Sequence, residues 1–308
     1  MTNIIPIRQE LKTKNTDIVE YYLASIDVKP KTKETYRRAL KRFMEWIKDN
    51  DIRQPDRTDL LDYKAYLMDN FTACTVSSYL TAIKGLYTFL EAEKISPNIA
   101  NGIKGAKHQQ GFKKDPLTVE QAKNVLIEID ISTITGKRDY AILNLLIRTG
   151  LRTIEIERAN IEDIRQQGGE ALLYIQGKGR DSKDDFVLLT EASLKPIREY
   201  INARGKTKET DPLFTSHSNR NEGGRLTTRS ISRIVKDNLR KAGIDSDRIT
   251  AHSLRHTAVT LSLLGGATIQ EAQSMARHKN INTTLIYAHN INRIKHAPER
   301  VIDTMLSI

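Results

Sequence analysis

The chain has 308 residues, a length that favours two domains over one. Hydrophobic residues make up 39% of it, and no apolar run approaches the roughly 20 residues of a membrane-spanning helix, which excludes a transmembrane protein and predicts no membrane partner. The net charge of +11 favours a polyanionic partner, with nucleic acid ahead of an anionic membrane surface.

The cysteine content and the start of the chain indicate the compartment. Cys74 is the single cysteine, so an internal disulfide is impossible and a reducing cytoplasm is expected. The first residues, Met-Thr-Asn-Ile-Ile-Pro, contain no basic segment followed by an apolar stretch, so we expect no secretion signal. We therefore expect a cytoplasmic, nucleoid-associated protein.

The first predicted domain, residues 15–103, is all helical, and its helix at 35–48 is strongly basic. The apolar stripe of this helix consists of Tyr36, Leu40, Phe43 and Ile47. Residues 29–48 hold eight basic side chains and two acidic ones, so the helix could bury its stripe and lie along a phosphate backbone. The candidate DNA contacts are Arg37, Arg38, Lys41 and Arg42. A solvated charged face is the alternative.

Two further helices, at 59–69 and 75–93, complete this domain. The second has a stripe formed by Val76, Leu80, Ile83, Tyr87 and Leu90. Pro97, Gly102 and Gly105 then break the helical pattern, and a polar stretch follows them. Residues 104–115 are therefore predicted to link two domains.

The second predicted domain, residues 116–308, mixes helices with a short hairpin. Its elements are a helix started by the capping box Thr118–Gln121, a helix at 138–149 ended by Gly150, strands at 171–176 and 185–189, a helix capped by Thr250, a helix started by the capping box Thr268–Glu271, and a final helix at 298–306. No nucleotide-binding glycine loop or cysteine-based metal site is present in the sequence, so we predict neither a cofactor nor a metal.

Groups suited to binding phosphate recur through this second domain. His252 and Arg255 are three residues apart, so they project from one face of a helix. Arg152 directly follows a helix end, and Lys178 occupies the tip of the hairpin turn Gly177-Lys178-Gly179-Arg180. His278 and Tyr287 follow nine residues apart. Each of these residues alone is more often structural than functional.

Together and in this order, the motifs resemble those of the tyrosine recombinase (phage integrase) family. The matching segments are Thr149-Gly150-Leu151-Arg152-Thr-Ile-Glu155, Gly177-Lys178-Gly179, His252-Ser-Leu-Arg255-His256 and His278-Lys-Asn-Ile-Asn-Thr-Thr-Leu-Ile-Tyr287-Ala-His289. The resemblance implies a mainly α fold with a small β-hairpin or sheet (α+β). It further implies an N-terminal helical core-binding (SAM-like) domain and a C-terminal catalytic domain, closed as a C-shaped clamp around DNA.

The resemblance also implies site-specific cleavage and rejoining of DNA through a 3′-phosphotyrosyl intermediate and a Holliday junction. Arg152 and Arg255 would clamp the phosphate oxygens on which charge develops. Tyr287 would be the nucleophile, with His252 as its base and Lys178 as the acid for the leaving 5′-oxygen. The remaining roles are a hydrogen bond from His278 to a phosphate oxygen, and orientation of Arg152 or His252 by Glu155.

Specific partners follow from the same resemblance. They are double-stranded DNA carrying recombination sites and a homotetramer on two such sites, alone or with a paralogue or accessory protein. A final helix of this kind docks on a neighbouring protomer in relatives, and packing on its own domain is the alternative.

The sequence departs from the family pattern near its last histidine. The family usually has Leu-Gly-His where this chain has Ala276-Arg277-His278, and we expect Arg277 to alter the turn or to contact a DNA phosphate. Arg180 is a further candidate DNA contact. His256 and His289 are extra histidines beside the motifs, and we interpret both as structural.

Three other functions compete with recombination: a catalytically inactive DNA-binding relative, a type IB topoisomerase-like enzyme, and a basic structural or membrane-surface protein. The full set of catalytic residue types argues against the first and third of these. Among recombinases, we expect no additional small domain before Asn15, a compact layout that favours an Xer-like enzyme. Resolution of replicons and mobile-element integration or excision both remain open.

Overall fold

The computed structural model describes residues 17–107, 114–177, 179–295 and 297–306. The chain divides into two compact units, residues 1–110 and 111–308. Lys178, the predicted acid, lies outside the described residues, as do residues 108–113 of the predicted linker.

The described part of the first unit is helical, as predicted. Its helices are α1 (Ile18–Ser25), α2 (Pro30–Asp49), α3 (Arg57–Asn70) and α4 (Ala73–Ala92). The stripe predicted on α4 is buried in full, and Leu40 and Phe43 of the α2 stripe are at most 1% exposed. These stripes meet in one apolar core with Tyr63 of α3. Hydrophobic periodicity therefore predicted the packing of this unit correctly.

The four basic side chains selected on α2 lie at the surface in local contacts. They are Arg37, 2.6 Å from Glu20; Arg38, 3.5 Å from Glu34; Lys41, 3.9 Å from Glu45; and Arg42, 4.8 Å above the ring of Phe71. The three ion pairs join exposed side chains, and such pairs contribute little stability. Breaking these ion pairs to form contacts with DNA phosphates would therefore cost little free energy.

The second unit contains most of the helices and the sheet. Its elements are α5 (Val119–Ile127), α6 (Ile134–Thr149), α7 (Thr153–Arg158), β1 (Ile164–Gln167), β2 (Glu170–Ile175), β3 (Asp185–Leu189), α8 (Glu191–Arg204), α9 (Thr228–Lys241), α10 (Ala251–Leu264), α11 (Ile269–Ala276), α12 (Asn282–Lys295) and α13 (Pro298–Leu306). The predicted capping boxes begin α5 and α11. The mainly helical fold with a small sheet is confirmed.

The sheet has three antiparallel strands in the order β1–β2–β3. Leu173 of β2 pairs with Ile164 on one side and with Val187 on the other. The edge strand β1 was not predicted, because its sequence Ile-Arg-Gln-Gln offers one apolar side chain and its last three residues are exposed. Only its pairing with β2 identifies it as a strand.

The turn after α6 sets the backbone of the site. Gly150 ends this helix in the left-handed conformation, with φ of 62°. A Cβ atom at Gly150 would lie 3.3 Å from the Cβ of Ala258 on α10. Glycine is therefore required both for the turn and for the close approach of α6 to α10.

The last helix, α13, has no buried residue. Its exposed apolar side chains are Val301, Ile302, Met305 and Leu306. None of the helices in the described ranges is long and apolar enough to span a membrane.

Candidate active site

Three of the predicted catalytic side chains line one cleft of the second unit. The cleft has a volume of about 890 Å³, and its lining includes Arg152, His252 and Arg255 together with Lys114 and Lys236. The two arginines and two lysines in this group carry a positive charge at neutral pH. The cleft is therefore suited to a phosphate group.

Arg152 is held by Glu155 at the start of α7. Its Nη1 donates to Oε1 of Glu155 at 2.8 Å, and its backbone N–H donates to Oε2 at 2.8 Å. The carboxylate of Glu155 is fully buried, whereas the side chain of Arg152 is 30% exposed. Glu155 therefore fixes the guanidinium of Arg152 at the surface of the cleft. Arg152 is one of the two residues, with His252, that the sequence suggested Glu155 would orient.

Arg255 is almost completely buried on α10. Its Nη1 donates to the carbonyl oxygen of Gly150 at 2.6 Å, and its Nη2 donates to the carbonyl oxygen of Ala276. Burial lowers the pKa of this guanidinium, and the charges of Arg152 and Arg277 lower it further. Two backbone carbonyls thus hold a positive charge at the base of the cleft.

Tyr287 lies on α12 and is 4% exposed. Burial raises the pKa of its phenol to about 12, although the positive charge of Arg255 opposes this shift. Its hydroxyl forms a hydrogen bond with Nδ1 of His256. The phenol is therefore protonated at neutral pH and already contacts a group that could accept its proton.

His256 is the functional candidate that the sequence interpretation missed. It was interpreted as structural, because only His252 and Arg255 match the family motif. His252 and His256 lie one turn apart on α10, with their ring centroids 4.6 Å apart in an edge-to-face arrangement. Burial lowers the pKa of His256 to about 4, and the neighbouring His252 contributes to this shift. His256 is therefore neutral at pH 7.

His278 is a second histidine beside the phenol of Tyr287. Its ring is stacked on that of Tyr287, with 6.3 Å between centroids, and its Nδ1 lies 2.9 Å from Oγ1 of Thr284. Burial lowers the pKa of His278 to about 4, with additional contributions from nearby arginines. His252 lines the cleft and is exposed. Its pKa is also lowered, mainly by desolvation of the ring and to a lesser extent by the positive charge of Arg255.

The structure shows the contacts of Arg277, for which we expected an altered turn or a DNA phosphate contact. Its backbone is left-handed, with φ of 53°, and its side chain is only 9% exposed and pairs with Glu155 at 3.0 Å. The guanidinium contacts Glu155 of α7 and lies 3.4 Å from the carbonyl oxygen of Gly150. Arg180, the other candidate contact outside α2, lies 2.7 Å from Asp184 and is 43% exposed.

Within the described ranges, no cluster of three or more His, Cys, Asp or Glu side chains could hold a metal ion.

Family models match both units of the chain. The model of the phage integrase family matches residues 116–293, and the model of the N-terminal SAM-like domain of phage integrases matches residues 19–94.

Similar proteins with assigned names are bacterial recombinases. Tyrosine recombinase XerC of Caldanaerobacter subterraneus subsp. tengcongensis is 32% identical over 255 residues, covering 79% of this chain and 68% of the relative. Tyrosine recombinase XerD of Oceanobacillus iheyensis is 30% identical over 272 residues, covering 84% of this chain and 87% of the relative.

Solved structures share the fold at lower identity. The recombinase XerH, bound to a palindromic difH substrate after cleavage, has a TM-score of 0.71 and 21% identity, covering 87% of this chain and 80% of that one. The λ integrase tetramer bound to a Holliday junction has a TM-score of 0.69 and 18% identity, covering 92% of this chain and 80% of that one.

Proposed function

The chain belongs to the phage integrase family of tyrosine recombinases, and we propose that it exchanges DNA strands through a covalent bond to Tyr287. It is a site-specific recombinase, an enzyme that cleaves and rejoins DNA. The observation that carries the proposed chemistry is on α10. Arg255 contacts the turn that presents Arg152. The next residue, His256, contacts the hydroxyl of Tyr287.

Arg152 and Arg255 are the proposed phosphate clamp. Attack on a phosphodiester increases the negative charge on its non-bridging oxygens, and fixed guanidinium groups stabilise that charge more in the transition state than in the ground state. The contacts that hold Arg152 to Glu155 and Arg255 to Gly150 support this role, because the side chains need little reorganisation when the phosphate arrives. His278 is proposed to donate a hydrogen bond to the same phosphate.

The phenol of Tyr287 must lose its proton as it attacks phosphorus. Two histidines of α10 are candidates for the acceptor: His252, expected from the sequence, and His256. The hydrogen bond between Nδ1 of His256 and the phenol supports His256, and we propose it as the first acceptor. His252, which lines the cleft, is then proposed to contact the phosphate.

The attack forms a 3′-phosphotyrosyl ester and releases a 5′-oxygen. An oxygen of this kind leaves readily only when protonated, and Lys178 is the proposed donor of that proton. The ester conserves the energy of the broken phosphodiester. A 5′-hydroxyl from another strand can therefore attack it, release Tyr287 and reseal the DNA without ATP.

Strand exchange between two duplexes requires several protomers. We propose a homotetramer on two recombination sites, with each protomer supplying one Tyr287. The tetrameric λ integrase on a Holliday junction supports this stoichiometry by its shared fold. We further propose that the enzyme acts in the cytoplasm on nucleoid DNA. Its task is Xer-like resolution or mobile-element recombination.

Covalent capture tests the proposal directly. The protein is incubated with fragments of its source replicon and denatured with detergent, and the DNA that remains attached is sequenced. Wild-type protein should retain specific fragments, and Tyr287→Phe should retain none, because phenylalanine offers no nucleophilic oxygen. Specific DNA binding by the wild type without any adduct would instead favour an inactive DNA-binding relative.

The same assay assigns the proton acceptor. On a captured fragment, His256→Gln should slow adduct formation by about 100-fold, the lower range for removal of a general base. If His252→Gln causes the large loss and His256→Gln does not, the assignment expected from the sequence is correct. Relaxation of supercoiled plasmids that lack a captured site would favour a topoisomerase.

A further inference from the structure

The residue after α11 has an unfavourable backbone conformation. Arg277 has φ of 53° and ψ of 45°, the left-handed region that glycine adopts most readily. Among the described residues, Asp51 and Lys94 are the other non-glycine residues with positive φ, and both are exposed. Arg277 differs because its side chain is buried. The buried contacts of that side chain can therefore offset part of the cost of the backbone.

The guanidinium of Arg277 contacts both supports of the phosphate clamp. Its Nη2 donates to Oε2 of Glu155 at 3.0 Å and lies 3.4 Å from the carbonyl oxygen of Gly150. Glu155 is the residue that holds Arg152, and the Gly150 carbonyl accepts from Arg255 at 2.6 Å. Arg277 thus lies between the two arginines without lining the cleft.

The remaining contacts of Arg277 are local. Nη1 donates to the carbonyl oxygen of Met275 at 2.6 Å, and Nε is buried without a hydrogen-bond partner among the described atoms. Burial lowers the pKa of Arg277, whereas the negative charges of Glu155 and of Asp185, at the start of β3, raise it. Glu155 is the acidic group that Arg277 contacts directly.

The charges of these groups determine what the cleft offers to a phosphate. Glu155 is fully buried, so its negative charge is poorly screened by water. With Arg152 as its only ionic partner, Glu155 would cancel most of the charge that Arg152 presents. A second guanidinium on the same carboxylate removes this cancellation.

We propose that Arg277 is a positioning residue that neutralises Glu155 and so leaves the charges of Arg152 and Arg255 available to the scissile phosphate. This inference rests on the proposed recombinase function. It replaces the DNA contact expected from the sequence, since the guanidinium acts through Glu155 and does not touch the substrate.

Single-turnover cleavage of a captured DNA fragment tests this role. Arg277→Gln should slow adduct formation by about ten- to a hundredfold, less than loss of a group that touches the reacting phosphate. DNA affinity should change by less than about twofold, because many other phosphate contacts bind the duplex. Arg277→Lys keeps the charge and should retain most of the rate.

A double variant separates charge from space filling. In Arg277→Gln, Arg152 is the one ionic partner left to Glu155 among the described residues, so adding Glu155→Gln should free the charge of Arg152 and raise the cleavage rate several-fold above that of the single variant. If Arg277 merely fills space, the second change gives no recovery, and Lys and Gln at 277 reduce the rate equally. Either of those results overturns the proposal, as does a wild-type rate in Arg277→Gln.

Matched controls keep a folding defect from being mistaken for this effect. Arg138 has an 8% exposed side chain and pairs with Asp139 at 2.6 Å, away from the cleft. Arg138→Gln should lower thermal stability but leave the cleavage rate of the folded protein unchanged. Arg277→Gly relieves the left-handed strain, so it offers a second folded variant in which the charge is absent.

A measurement without DNA keeps this inference separate from the proposed function. Arg277 contributes to the lowered pKa of His278. In an NMR titration, Arg277→Gln and Arg277→Gly should raise that pKa, and Arg277→Lys should not. An unchanged His278 titration in all three would show that the charge of Arg277 does not reach the site. Absence of adduct with the wild type would instead contradict the proposed function alone.

Discussion

At the scale of single residues, burial keeps the phenol of Tyr287, the proposed nucleophile, protonated and keeps the nearby histidines His256 and His278 neutral. Burial raises the pKa of Tyr287 to about 12 and lowers that of His256 to about 4. Both pKa shifts arise because an apolar environment disfavours the charged form of a side chain. The phenol is therefore expected to lose its proton only as it attacks a phosphate that Arg152 and Arg255 hold in place.

The neutral histidines make stability depend on pH. His256 and His278 have a pKa of about 4 in the folded protein, below the ordinary value that they regain on unfolding. Between these values the unfolded chain binds more protons, so stability must fall as the pH is lowered. We expect a fall of a few degrees in Tm between pH 7 and pH 5, measured by calorimetry.

Substitution of the histidines provides the control for this pH dependence. His256→Gln and His278→Gln cannot take up the proton, so each should flatten the dependence of Tm on pH. The carboxylates with lowered pKa, such as Asp115 beside Arg248, lose their contribution mainly below pH 5. An equally steep dependence in both variants would assign the effect to other groups.

Residue types and their order identified three side chains that share one cleft, but not the internal contacts of the site. Arg152, His252 and Arg255 line one cleft, as the motifs imply. The contact of His256 with Tyr287 depends on how α12 packs against α10, and the sequence spacing of 31 residues does not reveal it. The inward direction of Arg277 similarly depends on one left-handed residue.

At the scale of elements, the α6–α7 turn is the most constrained part of the site. Gly150→Ala should destabilise the protein by about 2 kcal/mol, from the left-handed backbone and from crowding against Ala258. It should also slow cleavage, because the displaced carbonyl of Gly150 no longer holds Arg255. Urea unfolding and single-turnover cleavage measure the two effects.

Gly168 offers a matched control for this substitution. It lies in the β1–β2 turn with φ of 60°, nearly that of Gly150, and a Cβ atom there would have no neighbour within 4 Å. Gly168→Ala should therefore cost only the backbone strain, about 1 kcal/mol, and leave cleavage unchanged. Equal effects of the two substitutions would show that the contact with α10 is unimportant.

The basic helix α2 allows a second test at this scale. Replacing Arg37, Arg38, Lys41 and Arg42 by Gln should weaken DNA binding and flatten its salt dependence, by a slope of about 0.9 for each lost phosphate contact. Glu20→Gln should act in the opposite direction, because it releases Arg37 from a 2.6 Å ion pair. Unchanged affinity and slope in the fourfold variant would identify a merely solvated face.

Elements with strong apolar periodicity were predictable, and weakly patterned ones were not. The helix α4 has a complete buried stripe, and its predicted range differs from the observed one by one or two residues at each end. Exposed edge positions carry no burial signal, which explains why β1 escaped prediction.

At the scale of the whole molecule, the described residues leave an apolar surface of α13 exposed. Val301, Ile302, Met305 and Leu306 lie on one face of α13 and are 54–82% exposed. Contiguous apolar surface of this kind usually marks a protein interface. It favours docking of α13 on a neighbouring protomer over packing on its own domain, the two possibilities that the sequence left open.

Replacing these four side chains by Ser should separate assembly from folding. The side chains are already exposed, so the Tm of the protein without DNA should change little. Binding to one recombination site should persist, whereas complexes that join two sites should be lost, as measured by sedimentation of a captured DNA fragment. Ile131→Ser, at a position 49% exposed outside the tail, should leave those complexes intact. A fall in Tm with normal two-site complexes would instead mean that α13 stabilises its own domain, and coupling between protomers would then have to come from another surface.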